Sequence, residues 1–227
     1  MPSYNEEKNL LELINSIQSN LNSKYIFEIV IVDDNSNDRT EELINSIKNI
    51  YNIKYIKNKT NMGQSFSSLL GIKNSTYETI VTIDADGQND PADIPKLADY
   101  YFKNNISLVG GLRLKRKDNL VKILSSRIAN YIRNYYLNDN CLDTGCSLKV
   151  FDKKIFLEFP YFDGMHRFIP ALFSGKQKKT HFISVNHKKR LYGVSKYGTA
   201  NRLFRGIRDM AKVKKIIKNM KNDRLHK

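Results

Sequence analysis

Apolar residues follow two alternating patterns along the first two thirds of the chain. Residues 9–21 carry leucines and isoleucines at the spacing of an amphipathic helix, and residues 27–36 form a short run rich in β-branched side chains. Alternation of this kind predicts an α/β fold with a mostly parallel sheet and helices on both faces. The two patterns repeat, and they predict helices over residues 40–50, 65–72 and 91–104 and strands over residues 53–58, 78–83 and 107–112.

The final third of the chain has a different pattern. Residues 120–137 predict an amphipathic helix rich in Tyr and Arg, and residues 144–151 predict a strand. A glycine-bounded loop at residues 193–198 precedes a basic helix at residues 202–227, where ten Lys and Arg stand against two Asp. Because there is no internal repeat and no linker, we expect one domain over residues 1–201 with a basic helical segment after it.

Acidic residues stand at the predicted ends of two strands. Asp33 and Asp34 close one strand, and Asp84 and Asp86 follow another. Ligands of parallel α/β sheets bind beyond the carboxyl ends of the strands, so both pairs are expected at a binding edge. On an extended chain Asp84, Asp86 and Gln88 point to one side, and their oxygen atoms suit Mg²⁺ or Mn²⁺. The alternatives are a solvated acidic turn for the second pair and a series of helix N-caps around the first.

The charge balance narrows the classes of partner. The chain has 38 Lys and Arg against 23 Asp and Glu, a net charge of +15, which indicates nucleic acid, an anionic membrane surface or phosphorylated substrates. Cys141 and Cys146 are interpreted as free thiols of a reducing compartment. No apolar run approaches the ~18 residues of a membrane span. With no apolar signal-peptide core either, we expect a cytoplasmic chain that is not itself transmembrane.

Seven short motifs occur in a fixed order over nearly the whole chain. Together they resemble the glycosyltransferases of family 2, which have the Rossmann-like GT-A fold. Within that family the pattern is most similar to the dolichyl- or polyprenyl-phosphate sugar synthases of the dolichol-phosphate mannose synthase type. The motifs are PSYNEEKNL (2–10), IVDDNSNDRT (31–40), NMGQSFSSLLG (61–71), IDADGQNDP (83–91), DTGCSLKVF (143–151), GMHRF (164–168) and RLYGVSKYG (190–198).

The resemblance implies an activity and its partners. It implies an inverting, metal-dependent transferase that moves a mannose- or glucose-type sugar from a GDP- or UDP-linked donor to a polyprenyl or dolichyl phosphate. The cofactor implied is Mg²⁺ or Mn²⁺. The implied location is peripheral, at the cytoplasmic face of an anionic membrane, with a membrane-protein partner possible and no nucleic acid.

The resemblance also assigns roles to individual residues. Asp143 is assigned as a base, although a structural role at a turn is the alternative, and His166 alone is more often structural than functional. The donor-binding residues implied are Pro2, Tyr4, Glu6, Asp33, Asp34, Arg113, Ser195 and Lys196. The metal ligands implied are Asp84, Asp86 and Gln88. The catalytic residues implied are Asp86, Arg190 and Asp143. The acceptor-side residues implied are Arg127, His166 and Arg167.

One predicted helix is a candidate for contact with the membrane, and one residue of the loop after residue 60 departs from the family pattern. A helix carrying Arg127, Tyr131, Arg133, Tyr135 and Tyr136 is expected to rest on the bilayer, with an ordinary amphipathic surface helix as the alternative. The sequence departs from the family pattern at residue 64, where Gln replaces a Lys or Arg common in relatives. We therefore expect a reduced contribution of that loop to phosphate binding.

The N-terminus departs from the pattern as well. Relatives carry an apolar strand directly before the P-x-Y-N-E motif, whereas here only Met1 precedes it. We expect the first strand of the sheet to be missing. This expectation makes Met1 either an internal residue of a longer natural protein or the start of a truncated one.

Three other functions are compatible with the residues. One is a family 2 transferase acting on a saccharide hydroxyl of a cell-envelope glycan. Another is a non-catalytic nucleotide-sugar binder, which the intact D-x-D-x-Q disfavours. A nucleic-acid binder is disfavoured because the basic tail has little aromatic interleaving beyond Phe204.

Overall fold

The structure is a computed structural model, and it describes residues 1–113, 131–190, 192 and 199–225, with the side chains of the last helix described from 206 to 222. Strands and helices alternate along most of the chain, as expected. The strands are β1 (Pro2–Ser3), β2 (Ile29–Asp33), β3 (Ile53–Lys57), β4 (Thr79–Thr82), β5 (Leu108–Arg113), β6 (Lys149–Asp152) and β7 (Thr180–Val185). The helices are α1 (Glu7–Leu21), α2 (Thr40–Ile47), α3 (Gln64–Asn74), α4 (Ile94–Lys103), α5 (131–137), α6 (Lys153–Leu157), α7 (Ile169–Gly175) and α8 (Thr199–Leu225).

The strands form two sheets instead of the single sheet that was expected. The first sheet has the order β1-β2-β3 and is parallel throughout. The second has the order β4-β6-β5-β7, in which β6 runs antiparallel to both neighbours while β5 and β7 are parallel. The α/β fold class is confirmed, and most of the strand pairings in the described residues are parallel.

A short strand, β1, pairs with β2 where the first strand of the sheet was expected to be missing. Pro2 pairs with Val32 and Ser3 pairs with Asp33, in parallel register with β2. The expectation of no first strand is corrected to this extent. The pairing places the P-x-Y-N-E loop beside the loop that follows β2.

Helices cover both faces of the second sheet, as expected. Adjacent residues on one strand point to opposite faces. Leu108 and Phe151 belong to one hydrophobic core, and their neighbours Val109 and Val150 belong to the other. The core that contains Val109 is formed with α1, α2 and α4, and the core that contains Phe151 is formed with α3, α7 and α8.

The C-terminal helix α8 is part of the second core. Asp209, Val213 and Ile217, at four-residue spacing, are buried on one face of α8. A Cβ added at Gly175 of α7 would lie 2.5 Å from Ile217 Cγ1, so the two helices pack closely. The domain boundary expected after residue 201 therefore falls inside α8. The other face of α8 exposes Arg208, Lys212, Lys214, Lys215, Lys218 and Lys221.

Four elements of the described structure differ from those that the periodicity predicts. The strand expected over residues 144–151 begins only at Lys149, because the preceding residues turn, with Cys146 N donating to Asp143 O. Helix α7 was not predicted because IPALFSG is buried almost all round and has no polar face. Strand β7 and helix α6 were also not predicted. The predicted loop at residues 193–198 and most of the predicted helix at residues 120–137 lie outside the described residues.

The described residues contain no helix that is both long enough and apolar enough to cross a bilayer.

Candidate active site

The first acidic pair lies buried where β2 ends. Asp33 Oδ1 accepts hydrogen bonds from the backbone N of Ser36 at 2.9 Å and from its Oγ at 2.5 Å. Its Oδ2 accepts from the hydroxyl of Tyr55 at 2.7 Å. The carboxylate thereby fixes the loop after β2 against β3. A carboxylate offers about four acceptor positions, so Asp33 retains capacity for one further donor.

Asp34 holds the loop that leads into α3. Its Oδ1 accepts from Asn58 Nδ2 at 2.7 Å and from Met62 N at 2.8 Å, and its Oδ2 accepts from Gly63 N at 2.8 Å. Gly63 has φ of +85°, a conformation that favours glycine. Asp34 therefore shapes the turn that places Gln64 at the start of α3.

The P-x-Y-N-E loop is hydrogen-bonded to the loop after β2. The backbone N of Asn5 donates to Ser36 Oγ at 2.9 Å, and Asn37 N donates to Asn5 Oδ1 at 2.8 Å. Glu6 Oε2 accepts from Asn9 Nδ2 at 2.6 Å, inside the first turn of α1. The expected donor-binding residues of the two loops are thus neighbours: Pro2, Tyr4, Glu6, Asp33 and Asp34.

The second acidic pair lies on a turn and not on a strand. Strand β4 ends at Thr82, and the chain turns before Gln88, with Gly87 at φ of +72°. The expected alternation of Asp84, Asp86 and Gln88 along an extended chain is therefore wrong. The physical reason is that the strand stops once its pairing with β6, which begins only at Lys149, has ended.

Asp84 is in a partly buried position at this turn. Its Oδ1 accepts from Gln64 Nε2 at 2.8 Å. Burial, and then repulsion from Asp86, raise the pKa of Asp84 to about 6, while a hydrogen bond from Ser147 and the charges of Lys149 and Arg113 act in the opposite direction. Gln64, which departs from the family pattern, is thus a partner of the expected metal ligand.

Asp86 carries an ion pair with Arg190. The guanidinium Nη2 contacts Asp86 Oδ2, and Gln88 N donates to Asp86 Oδ1 at 3.1 Å. Within the residues described, no three His, Cys, Asp or Glu side chains converge as a metal cluster. Two carboxylates with the remaining positions left to water and substrate phosphates is a typical arrangement for Mg²⁺, so these donors fit the expected cation. Asp84 and Asp86 would hold it.

Arg113 and Asp143 form a bidentate ion pair with each other. Arg113 Nε lies 2.7 Å from Asp143 Oδ2, and Nη2 lies 2.8 Å from Oδ1. Their side chains are 11% and 5% exposed. A Cβ at Gly145 would lie 2.7 Å from Arg113 Nη2, so the turn fits tightly around the pair. The residues expected to face a phosphate and to act as a base are therefore partners of one another.

His166 is hydrogen-bonded to Ser65 on α3. Ser65 Oγ accepts from Gly164 N at 2.9 Å and lies 2.6 Å from His166 Nδ1. Burial, then repulsion by Arg167 and Lys149, lower the pKa of His166 to about 3. Because the buried hydroxyl hydrogen of Ser65 needs an acceptor, we assign it to Nδ1, which leaves the proton of the neutral ring on Nε2.

The next residue anchors the same motif to the C-terminal helix. Arg167 Nη2 lies 2.8 Å from Asp209 Oδ2, and Asp209 is 3% exposed. Gly164 has φ of +90°, and a Cβ there would lie 2.7 Å from Arg167 Nη2. The G-M-H-R-F motif is thus fixed at both ends, by Ser65 on α3 and by Asp209 on α8.

Comparison with known proteins decides the family. The family described as Glycosyl transferase family 2 matches residues 1–159. The chain belongs to this family. The family 2 chain is 33% identical over 219 residues to dodecaprenyl-phosphate galacturonate synthase of Rhizobium johnstonii, with 94% of this chain and 64% of that protein covered. It is 32% identical over 200 residues to undecaprenyl-phosphate 4-deoxy-4-formamido-L-arabinose transferase of Pectobacterium atrosepticum, with 87% and 61% covered. It therefore spans less than two thirds of the length of either relative.

Solved structures confirm the fold of this family 2 chain. It resembles glucosyl-3-phosphoglycerate synthase from Mycobacterium tuberculosis in complex with phosphoglyceric acid, with a TM-score of 0.68, 17% identity, and 94% of this chain and 76% of that chain covered. It also resembles that enzyme in complex with Mn²⁺, UDP-glucose and phosphoglyceric acid, with a TM-score of 0.64, 17% identity, and 83% and 70% covered. The expected GT-A fold is confirmed.

One charged residue of the family 2 chain was missed from sequence. Lys149 is 3% exposed at the start of β6, and its Nζ contacts the carbonyl oxygen of Cys146. Its charge acts on both Asp84 and His166. The only sequence signal was a Lys inside the otherwise apolar stretch SLKVF.

Both cysteines, Cys141 and Cys146, are free and buried, as expected for the thiols. Burial raises the pKa of the Cys141 thiol to about 11 and also raises that of Cys146. Both thiols are therefore protonated near neutral pH.

The remaining expected residues divide into two groups. Ser195, Lys196 and Arg127 lie outside the described residues. Arg133, expected on a bilayer surface, is instead 5% exposed and pairs with Asp139, so this expectation is wrong. A guanidinium buried with its own carboxylate has no surface for lipid.

We predict that Asp143 stabilises the fold through Arg113. Asp143→Leu removes the bidentate carboxylate partner of a buried guanidinium, and it should lower the free energy of unfolding by about 3–5 kcal/mol. Adding Arg113→Met should restore part of that loss, because a buried ion pair can be replaced by apolar side chains. Urea unfolding measures both variants, with Asp163→Leu, at an exposed carboxylate, as the control. Wild-type stability of the Asp143→Leu protein would contradict the assignment.

We predict that His166 makes the fold sensitive to acid. Its folded pKa of about 3 lies below the ordinary value of 6.5, so the unfolded chain binds the extra proton between these pH values. This contribution to stability is complete above pH 6.5 and is lost progressively as the pH falls toward 3. His166→Gln should remove this part of the decline in unfolding free energy, measured by urea unfolding from pH 7 to pH 4. Replacing the exposed His181 by Gln should leave the decline in place, and an unchanged decline in His166→Gln would refute the prediction.

Proposed function

We propose that this chain transfers a sugar from a nucleotide sugar to a polyprenyl phosphate. Membership of family 2 and the names of the two relatives support the class of reaction. The observation that carries the proposal is the ion pair of Arg190 with Asp86, two residues after Asp84, whose carboxylate is hydrogen-bonded to Gln64 beside the turn that Asp34 holds. Carboxylates suit a divalent cation, and a guanidinium suits a diphosphate.

The donor would lie across the two loops of the first sheet. The nucleoside would contact the P-x-Y-N-E loop and the loop of Asp33 and Asp34, whose hydrogen bonds already hold both loops in place. Arg190 would bind the diphosphate, and a bound Mg²⁺ or Mn²⁺ would neutralise the charge that develops on the leaving group. The complex of the structural neighbour with Mn²⁺ and UDP-glucose supports this type of donor.

The transfer step needs an acceptor oxygen and no separate base. An oxygen of the acceptor phosphate would attack the anomeric carbon of the sugar, forming the new C–O bond as the bond to the nucleoside diphosphate breaks. The phosphate is already an anion, so it requires positioning more than deprotonation. A sugar hydroxyl as acceptor would need a base, and the residue expected as a base, Asp143, is instead paired with Arg113. This pairing favours a phosphate as the acceptor.

Several residues keep proposed roles at the acceptor side. His166, neutral with its proton on Nε2, would donate a hydrogen bond to the acceptor phosphate while Ser65 holds the ring. Arg127 keeps its proposed role at the acceptor side, and Ser195 and Lys196 keep their proposed roles in donor binding. The names of the two relatives include galacturonate and 4-deoxy-4-formamido-L-arabinose, whereas the resemblance alone implied mannose or glucose. An assay with a panel of donors is therefore needed to identify the sugar.

Helices α5 and α8 together would form the surface that meets the membrane. Four apolar or aromatic side chains of α5 are exposed: Tyr131 (75%), Ile132 (54%), Tyr135 (86%) and Tyr136 (43%). Lys214 of α8 donates to the carbonyl of Tyr136 at 2.6 Å and lies 5.0 Å from its ring centroid, so the basic helix lies beside these tyrosines. Tyrosine at the headgroup level and lysine toward anionic lipid are both favourable at a bilayer surface.

We predict that Asp86 is essential for transfer. The purified chain should convert polyprenyl phosphate in vesicles to its glycosylated form with one of a panel of UDP- and GDP-linked sugars, including glucose, mannose, galacturonate and 4-deoxy-4-formamido-L-arabinose. Asp86→Asn should lower turnover by about 10²–10³-fold, because it removes electrostatic support of the leaving diphosphate. Mass spectrometry of the extracted lipid measures the product.

Asp90→Asn is the matched control, because Asp90 lies on the same loop and pairs with Lys188 at 3.2 Å. It should keep most of the activity. Product on a free saccharide and none on the lipid phosphate would support the hydroxyl-acceptor alternative. Full transfer by Asp86→Asn would refute the proposed site.

We predict that the exposed face of α8 binds anionic vesicles. Lys215→Gln together with Lys218→Gln should weaken binding by about 2 kcal/mol, on the order of a tenfold to thirtyfold loss, because each Lys near such a surface contributes about 1 kcal/mol. Co-sedimentation at low and high salt measures it. Lys48→Gln with Lys73→Gln, also exposed but on α2's end and α3, is the control. Equal losses in both double variants, or binding only in the presence of a membrane protein, would contradict the surface.

A further inference from the structure

The segment after β7 runs antiparallel beside the loop that carries the metal ligands. Residues Asn89 and His187 form an isolated antiparallel bridge. Lys188 contributes twice, since its N donates to Gln88 O at 2.9 Å and its Nζ lies 3.2 Å from Asp90 Oδ1. These contacts join the two segments as a short two-stranded ribbon.

The ribbon is closed at its far end by another carboxylate. Asp93 Oδ2 accepts a hydrogen bond from Asn186 N at 2.7 Å, and Asp93 is 8% exposed. Along the ribbon, each step forward from His187 corresponds to a step backward from Asn89, the residues of the bridge. Continuing this register brings Arg190 to Asp86, where the ion pair is found.

The ion pair between Arg190 and Asp86 is therefore placed by the backbone. The two side chains are 26% and 11% exposed, so the pair is largely removed from water. Both oxygens of Asp86 are engaged, Oδ2 by the guanidinium and Oδ1 by Gln88 N at 3.1 Å. A divalent cation that binds Asp86 would compete with the guanidinium, because two positive charges at one carboxylate repel each other.

We propose that the Arg190 guanidinium occupies the cation's place at Asp86 in the donor-free protein. When the nucleotide binds, the guanidinium moves from Asp86 to the donor diphosphate. This inference rests on the proposed function. A diphosphate can offer a planar guanidinium a bidentate acceptor, whereas the contact with Asp86 joins Nη2 to Oδ2. Release of Arg190 then opens Asp86 to the cation, so nucleotide and cation bind with positive coupling.

The coupling has a reciprocal form that can be measured. If the nucleotide raises the affinity for the cation, the cation raises the affinity for the nucleotide by the same factor. Without Arg190 the competitor is absent, so the cation should bind more tightly alone and gain less from the nucleotide. A surface pocket of about 300 Å³, lined by Asp86, Gly87, Asn89 and Lys188 among others, gives the cation a path to Asp86.

The experiment is a titration of the full chain with Mn²⁺, with free Mn²⁺ measured by electron paramagnetic resonance. Arg190→Gln should bind Mn²⁺ about tenfold more tightly than the wild type in the absence of nucleotide. Lys188→Gln removes the same charge from the same ribbon and should change the affinity by less than about threefold. Arg190→Lys, which keeps the charge without the fork, should fall between the wild type and Arg190→Gln.

The second arm repeats the titrations with saturating UDP or GDP. The nucleotide should raise the Mn²⁺ affinity of the wild type by a larger factor than that of Arg190→Gln. Equal factors, or Arg190→Gln binding Mn²⁺ no more tightly than the wild type or than Lys188→Gln, would overturn the inference. Asp86→Asn separates the two claims: loss of Mn²⁺ binding supports the metal site of the proposed function whatever Arg190 does, whereas unchanged binding overturns that site and the inference with it.

Discussion

Carboxylates removed from water must find hydrogen-bond donors or cations, and this constraint organises the edge where the strands end. Asp33 and Asp34 are almost completely buried, and each accepts three hydrogen bonds from neighbouring loops. Asp143 and Asp209 are paired with arginines. An uncompensated buried charge costs several kcal/mol, so each of these pairings also fixes the loop or helix that supplies the partner. The site and the fold are in this sense stabilised by the same contacts.

Asp84 and Asp86 are the pair for which this compensation is incomplete. Burial raises the pKa of Asp84, and repulsion from Asp86 raises it further. Arg190 contacts Asp86, and the buried Lys149 acts on Asp84 from the start of β6. The chain thus places positive charges beside two acids, and a divalent cation could take the place of the Arg190 guanidinium once that group binds a diphosphate. The net charge of +15 favours association of the chain with anionic ligands and surfaces.

The sequence predicted the elements that have a clear period and the acids that follow them. Helix α1 and strands β2 and β3 lie where the periodicity put them, because each buries one face or a short apolar run. The turn after β4 was mistaken for extended chain, since periodicity does not report where strand pairing stops. Partners far apart in sequence were not predictable either: His166 meets Ser65 across 101 residues, and Arg190 meets Asp86 across 104. Spacing indicates which residues share a face, but only the assembled fold decides which charges meet.

The central claim is that the paired acids and Arg190 form the donor site, and a crystal structure with UDP and Mn²⁺ tests it most directly. The account predicts the nucleoside between the P-x-Y-N-E loop and the loop of Asp33 and Asp34. It predicts the cation on Asp84 and Asp86, and the guanidinium of Arg190 on the diphosphate. A nucleotide bound elsewhere on the chain, or a cation bound while Arg190 still contacts Asp86, would contradict it.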